Sequence, residues 1–176
     1  VNIYSDPTDA DLLMPPFDTE GLPIQRRAWI ENGILKNLTY TRFWARKQGA
    51  QPTGGGGGGG GFGGGFPGGL KMAGGSKSLD ELIASTQRGV LVTRFWYIRS
   101  LDTRTVMLTG LTRDGTFLIE NGRVTRSLKN FRWNESPLFM LNKIEEIGRA
   151  ESTAAGQVMP SLKVKDFNFT SLSDAV

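Results

Sequence analysis

The sequence predicts a mainly β fold of the α+β class, with antiparallel hairpins in a barrel- or sandwich-like domain and two short helices. Three observations support this. The dipeptide Asn-Gly twice separates two apolar runs, at 32–33 and 121–122, and a type I′ turn needs the positive φ that both residues tolerate. A run rich in β-branched and aromatic residues fills 89–98. Helix-start residues stand at Ser78 and Ser136.

Strands are expected on both sides of each Asn-Gly turn and in the other β-branched runs. The expected strands are 25–30, 34–40, 89–98, 105–109, 116–120, 123–128 and 161–169. Adjacent aromatic residues on a strand point to opposite faces. For Phe43/Trp44 and Phe95/Trp96 we therefore expect one ring of each pair in the core, and the other under a second layer or at an interface.

Two helices are predicted from their first residues. Ser78 and Glu81 are expected to form a capping box, in which the Ser78 hydroxyl accepts from the Glu81 amide and the Glu81 carboxylate accepts from the Ser78 amide. Gly89 ends this region. The second helix begins with Ser136 as N-cap and Pro137 at its first position. Its expected apolar face and terminator are Leu138, Leu141, Ile144, Ile147 and Gly148.

A glycine-rich segment interrupts the strands at 51–75. Glycine has the highest backbone entropy cost on ordering, so this segment is expected to be a flexible loop rather than a packed element. It lacks the Gly-Lys-Ser/Thr ending of a phosphate-binding P-loop, so no chemistry is assigned to it. We interpret 1–176 as a single domain that carries this loop.

The composition limits the chemistry of the chain, because it contains neither cysteine nor histidine. Disulfides, thiolate metal sites and the Ser-His-Asp and Cys-His arrangements are excluded within it. The acidic opening offers oxygen ligands for a hard cation, but the spacing does not match a calcium loop and prolines favour an extended connector. These acidic residues are Asp6, Asp9, Asp11, Asp18 and Glu20. No catalytic residue and no metal are therefore assigned to this chain.

The net charge of +4 is spread along the chain rather than gathered in one stripe. Arginines between aromatic residues could form a stacking surface for single-stranded nucleic acid. A core or interface role for the aromatic rings is favoured instead, so nucleic acid is not the expected partner. No apolar run is long enough to span a bilayer. We expect a cytoplasmic protein without membrane contact. The chain begins at Val1, which is expected for a fragment or a processed product.

An ordered series of short sequence motifs extends over most of the chain outside the glycine run. The motifs are Asp6-Pro7, 17–21 with Pro23, 30–35, Ala45, Gly49, 78–83, 89–92, Thr109-Gly110, 117–122, 144–148 and 156–160. The series resembles the C-terminal domain of the TldD/PmbA family, which contains zinc metallopeptidases, their partner subunits and proteins named as modulators of DNA gyrase.

This resemblance implies a β-rich C-terminal half of a longer, dimeric protein that acts on unfolded peptides. In active members, a His-Glu-x-x-x-His helix upstream and a cysteine before a Gly-Gln pair hold zinc, which activates water for peptide hydrolysis. The helix is absent here, and the cysteine position falls near Ser152. The motifs shared with the family imply that Thr109, Gly110 and Ser152 lie near the substrate groove.

Three hypotheses remain open. The first is a peptide-processing domain of the TldD/PmbA type, inactive alone, that forms a dimer with itself or with a paralogous subunit. The second is a non-catalytic module that binds unfolded peptide by strand addition at a sheet edge. The third, a nucleic-acid binder, rests on charge and aromatic residues alone.

Overall fold

The structure is a computed structural model that describes residues 1–53, 69–153 and 156–173. These residues fall into two compact units, to which we refer as the first and the second unit. The first unit comprises Val1–Gly75 and Arg149–Pro160, and the second comprises Ser76–Gly148 and Ser161–Val176.

Within the described ranges the chain forms strands and three short helices. The strands are β1 (Ile3–Ser5), β2 (Arg27–Glu31), β3 (Ile34–Leu35), β4 (Lys71–Met72), β5 (Arg88–Asp102), β6 (Met107–Glu120), β7 (Arg123–Ser127), β8 (Asn130–Glu135), β9 (Ile144–Ser152), β10 (Val158–Val164) and β11 (Phe169–Ser173). The helices are α1 (Arg42–Gln48), α2 (Leu79–Ala84) and α3 (Pro137–Asn142). The mainly β prediction is confirmed. None of these helices is long and apolar enough to cross a membrane.

Two sheets carry the strands, and as described neither closes into a barrel. The first has the order β3-β2-β1-β4-β10-β9, and the second has the order β11-β8-β6-β5, with β7 also paired to β6. Both predicted Asn-Gly turns form. The φ angles are 53° at Asn32 and 79° at Gly33, and 50° at Asn121 and 76° at Gly122.

The core of the first unit is built around Trp29, which is 3% exposed. Its indole Nε1 donates to the buried Ser5 hydroxyl at 2.8 Å. β1 lies antiparallel between β2 and β4, and β4 pairs in parallel with the start of β10 through Lys71 and Val158. Other buried apolar side chains of this unit are Leu12, Ile24, Ala45, Met72 and Val158.

The predicted strand 34–40 is wrong beyond its first two residues. Residues 36–40 lie in no strand or helix, since the Asn37 side chain donates to the Ala28 carbonyl and the Tyr40 amide donates to a side-chain hydroxyl instead of to a strand partner. A helix begins after them. Thr41 is the N-cap of α1, where its hydroxyl accepts from the Trp44 amide at 3.3 Å, and Gly49 ends the helix at φ 66°. Phe43 and Trp44 consequently leave the alternating pattern and are 67% and 44% exposed. The same tetrapeptide, Thr-Arg-Phe-Trp, is strand at 93–96, so tertiary context decides its conformation.

The glycine-rich segment is described only in part. Residues 54–68 of the predicted 51–75 loop lie outside the described residues. The expectation of an unpacked loop is wrong at its downstream end. There Lys71–Met72 forms β4 and Met72 is only 4% exposed.

The capping box that begins α2 is confirmed, with the Glu81 amide donating to the Ser78 hydroxyl. The second predicted helix is too long, because α3 ends at Asn142 and Ile144–Ser152 is a strand. Ser136 makes no side-chain cap; its hydroxyl donates instead to the Thr105 carbonyl at 2.7 Å. Gly148 does not terminate a helix but lies within β9.

The last predicted strand, 161–169, is two strands rather than one. β10 ends at Val164, and β11 begins at Phe169. Between them Asp166 has a φ of 48°, a left-handed conformation that breaks an extended run.

Candidate functional site

Four arginines and a tryptophan share one face of the second sheet, and we call this set the arginine face. Its members are Arg94, Trp96, Arg99, Arg113 and Arg132. Residues that pair directly across antiparallel strands project to the same side, as do residues two apart on one strand. The pairs that place these side chains together are Arg94↔Arg113, Trp96↔Leu111, Arg99↔Thr109 and Leu111↔Arg132.

Two aromatic rings on β5, those of Trp96 and Tyr97, lie against guanidinium groups. Arg94 and Arg113 lie 4.5 and 5.3 Å from the centre of the Trp96 ring. Arg99 lies 4.4 Å from the centre of the Tyr97 ring. Cation–π contacts of this kind hold a long side chain in place while its N–H edge stays available. The face therefore presents ordered donors for anionic groups.

Thr109, one of the predicted groove residues, lies in the middle of the arginine face. It pairs with Arg99 on β5 and with Asn134 on β8, and its hydroxyl is 3.5 Å from the Arg132 guanidinium. The buried Oδ1 of Asn134 accepts no hydrogen bond within the described residues. This position therefore presents guanidinium donors at the surface, with an unpaired acceptor buried beneath it.

Gly110 supports the opposite face of the same sheet. A β-carbon at Gly110 would lie 2.5 Å from Cζ2 of the Trp133 indole, so only glycine allows the ring to lie flat against the strand. The Trp133 ring joins an aromatic cluster, with Phe95 at 5.1 Å and Phe167 at 5.7 Å between centroids. Phe95 and Trp96 point to opposite faces as predicted, but the expectation that one of the two rings lies in the core is wrong, because they are 39% and 40% exposed.

β5 forms the outer edge of this sheet. It is 15 residues long and pairs with β6, and no strand of the described residues lies on its other side. Every residue of 93–102 is exposed. A bulge interrupts the strand where Tyr97 and Ile98 together oppose Gly110, and Tyr97 has a φ of 55°. Bulges at sheet edges reorient side chains and limit unwanted pairing.

Ser152, the third predicted groove residue, is not on this sheet. It is the exposed last residue of β9 and belongs to the first unit. Next to it, the Thr153 amide donates to the Gln157 carbonyl at 2.7 Å. The structure thus brings Thr109 and Gly110 together on adjacent positions of β6, and places Ser152 in the other unit.

Two carboxylates of the acidic opening, Asp9 and Asp11, bind a lysine. Lys71 Nζ donates to Asp9 Oδ2 at 3.0 Å and to Asp11 Oδ2 at 2.7 Å. Hydrogen bonds from Lys71 and from the Asp11 amide hold the pKa of Asp9 below its ordinary value. The described residues contain no cluster of three or more metal-ligating side chains. The donor set here does not fit the zinc that the family resemblance implies.

An open groove of about 480 Å³ lies in the first unit. It is lined by Arg27, Leu35, Asn37, Tyr40 and Pro52, among others. Thr53 fixes one wall, because its hydroxyl accepts from the Tyr40 amide at 2.7 Å. None of the predicted site residues lines this groove.

Sequence reasoning missed the arginine face. One cue was present in the predicted strand 89–98, where Arg94 and Trp96 are two residues apart and must share a side. Arg113 and Arg132 join them only through strand pairing. That register depends on bulges at Tyr97 and at Asp114–Gly115, which no local pattern reveals.

Comparison with known proteins agrees with this architecture. The model of the PmbA/TldA metallopeptidase C-terminal domain matches residues 1–171. A Buchnera aphidicola protein named a metalloprotease TldD homolog is 30% identical over 134 residues, which cover 75% of this chain and 27% of that protein. This chain thus spans about a quarter of that relative.

Two solved structures resemble the fold over 97% of this chain. A Thermotoga maritima protein, named as a candidate modulator of a DNA gyrase, has a TM-score of 0.77 at 27% identity, and 39% of its chain is covered. TldE from Thermococcus kodakarensis has a TM-score of 0.78 with 39% covered, and its 24% identity shows the fold alone. Since the family model extends over nearly the whole sequence, the chain belongs to the PmbA/TldA metallopeptidase C-terminal domain family.

Proposed function

We propose that this chain acts in peptide processing as the C-terminal domain of a metallopeptidase-related protein, and that it holds unfolded peptide rather than cleaving it. The observation that carries the proposal is the free edge of β5. An extended peptide can add a strand there, because the outward backbone groups of an edge strand are available for pairing. Main-chain pairing tolerates many sequences, as binding of unfolded substrates requires.

Catalytic groups must come from outside this chain. It has no histidine or cysteine, and a serine hydroxyl at Ser152 is a poor zinc ligand compared with a thiolate. Asp9 and Asp11 are engaged by Lys71. We therefore propose that the chain alone is inactive and holds no cofactor, and that any zinc is bound by other parts of an active assembly.

An alternative role is that of a partner-subunit module, in which the chain pairs with itself or with a paralogous subunit in the cytoplasm. The observation that favours it is apolar exposure in the first unit. Ile34, Leu35 and Phe43 are 60%, 61% and 67% exposed. Large side chains left in water mark a surface that another chain covers. Size-exclusion chromatography with light scattering tests this role by the mass in solution.

Strand addition can be tested with a ten-residue fluorescein-labelled peptide of alternating Thr and Val. The matched control is its depsipeptide, in which ester oxygens replace the backbone N–H groups. We expect the peptide to bind the 176-residue chain at least about tenfold more tightly than the depsipeptide, because several backbone hydrogen bonds are lost together. Hydrogen exchange measured by mass spectrometry should slow at 93–102 when the peptide binds. Equal binding of both ligands, or unchanged exchange in that segment, would overturn the proposal.

A further inference from the structure

The arginine face carries more positive charge than its surroundings neutralise. Asp114 pairs with two of its arginines, at 2.6 Å from Arg94 and 3.5 Å from Arg113. Arg99 and Arg132 form no ion pair within the described residues. Their guanidinium groups donate to the Ile98 carbonyl and the Thr109 hydroxyl. Asp102 pairs with Met107 and so lies on the same side, where its carboxylate accepts from the Arg104 amide and the Thr105 hydroxyl. Four arginines against two aspartates leave two positive charges in surplus.

We propose that this face selects acidic peptides at the edge of β5. The inference rests on the proposed function and specifies the class of peptide. Side chains of an added strand alternate between the two faces of a sheet, so every second one points to the arginine side. Arg94 and Arg99 lie on the strand that the peptide would join, and Arg113 and Arg132 extend the positive field behind them. A peptide with acidic residues at alternate positions fits this arrangement.

The face is prepared to bind carboxylates, and two further features favour a polypeptide over nucleic acid. The Arg99 guanidinium, which has no ion-pair partner within the described residues, is already held over the Tyr97 ring, so less side-chain freedom is lost when it binds a carboxylate. The cation–π contacts at Trp96 and Tyr97 occupy the ring faces on which bases of single-stranded nucleic acid would stack. The free strand edge beside them offers backbone pairing, which a polypeptide uses and a nucleic acid does not.

The test compares two labelled nine-residue peptides, one of alternating Glu and Val and one of alternating Gln and Val, by fluorescence anisotropy. We expect the Glu peptide to bind about tenfold more tightly at low salt, since charge-assisted hydrogen bonds are stronger than neutral ones. The difference in affinity between the two peptides should decrease at high salt, because salt screens the charges. In Arg99→Gln, the Glu peptide should lose about three- to tenfold in affinity, with no change for the Gln peptide.

Arg123→Gln is the matched control, because Arg123 is an exposed residue of β7 that pairs with Glu120 at the far end of β6. It should leave both affinities unchanged, and circular dichroism melts establish that both variants are folded. Equal binding of the Glu and Gln peptides by the unmodified chain would overturn acidic selection and leave strand addition intact. Binding of neither peptide would overturn both. Displacement of the Glu peptide by an equimolar nine-residue oligothymidylate would also overturn the inference, in favour of nucleic acid.

Discussion

At the residue scale, Gly110 is the position where the backbone of β6 and the Trp133 ring approach each other most closely. Three indole atoms lie within 3.0 Å of the place that a β-carbon would occupy. The indole is buried, and its Nε1 donates no hydrogen bond within the described residues. The ring is thus held by packing on the strand and in the aromatic cluster.

Gly110→Ala is expected to destabilise the chain by about 1–3 kcal/mol, the usual cost of adding a methyl group to a packed site. Urea denaturation measures it. In a Trp133→Phe background, the smaller ring leaves room for the methyl group, and the same substitution should cost clearly less. An equal cost in both backgrounds would show that the clash is not with this indole, since coupled sites deviate from additivity.

At the element scale, a carboxylate on β9 joins the lysine before α2 to a lysine on β10. Glu146 Oε1 accepts from Lys163 Nζ at 3.2 Å and from the Ser85 hydroxyl at 3.1 Å. Glu146 Oε2 accepts from Lys77 Nζ. The hydrogen bond from Lys77, and then that from Lys163, lower the pKa of Glu146 from 4.5 to about 2. One side chain thus connects three segments of the second unit.

This lowered pKa makes a prediction about acid stability. Because the folded pKa is below the ordinary value, the contribution of Glu146 is present above pH 4.5 and is lost as the pH falls towards about 2. Glu146→Gln should therefore melt at a lower temperature than the unmodified chain at pH 6, and the difference should narrow between pH 4.5 and 2. Glu145→Gln, an exposed neighbour on β9, is the matched control. A difference that does not change with pH would contradict this account.

Structural elements that depend on the residue types within a few positions could be predicted from the sequence, whereas elements that depend on contacts distant in sequence could not. The turns at 32–33 and 121–122 and the capping box of Ser78 follow from residue type. Helix α1 was missed because its core residue, Ala45, is buried by other parts of the first unit. The placement of Thr109 and Gly110 near a substrate groove, which rests on motifs shared with the family, stays a prediction, whereas the strand pairing that brings arginines to Thr109 depends on register.

At the scale of the whole molecule, the proposed function assigns peptide binding to this chain and cleavage to groups outside it. We expect the 176-residue chain with added zinc to leave unfolded casein intact, because no histidine or thiolate is available to hold the metal. Mass spectrometry of the casein after incubation measures this. A zinc metallopeptidase assayed in parallel is the positive control. Zinc-dependent cleavage that persists after further purification would contradict the proposal that this chain binds peptide without cleaving it.

The exposed edge of β5 also bears on how the molecules behave in a crowded solution. A long edge strand with Phe95, Ile98 and Leu101 exposed is a template for aggregation between identical copies. Arginines beside such a strand act as gatekeepers, because two copies that approach edge to edge bring like charges together. The charge that we assign to peptide selection therefore also protects the chain's colloidal stability, and substitutions that abolish one role weaken the other.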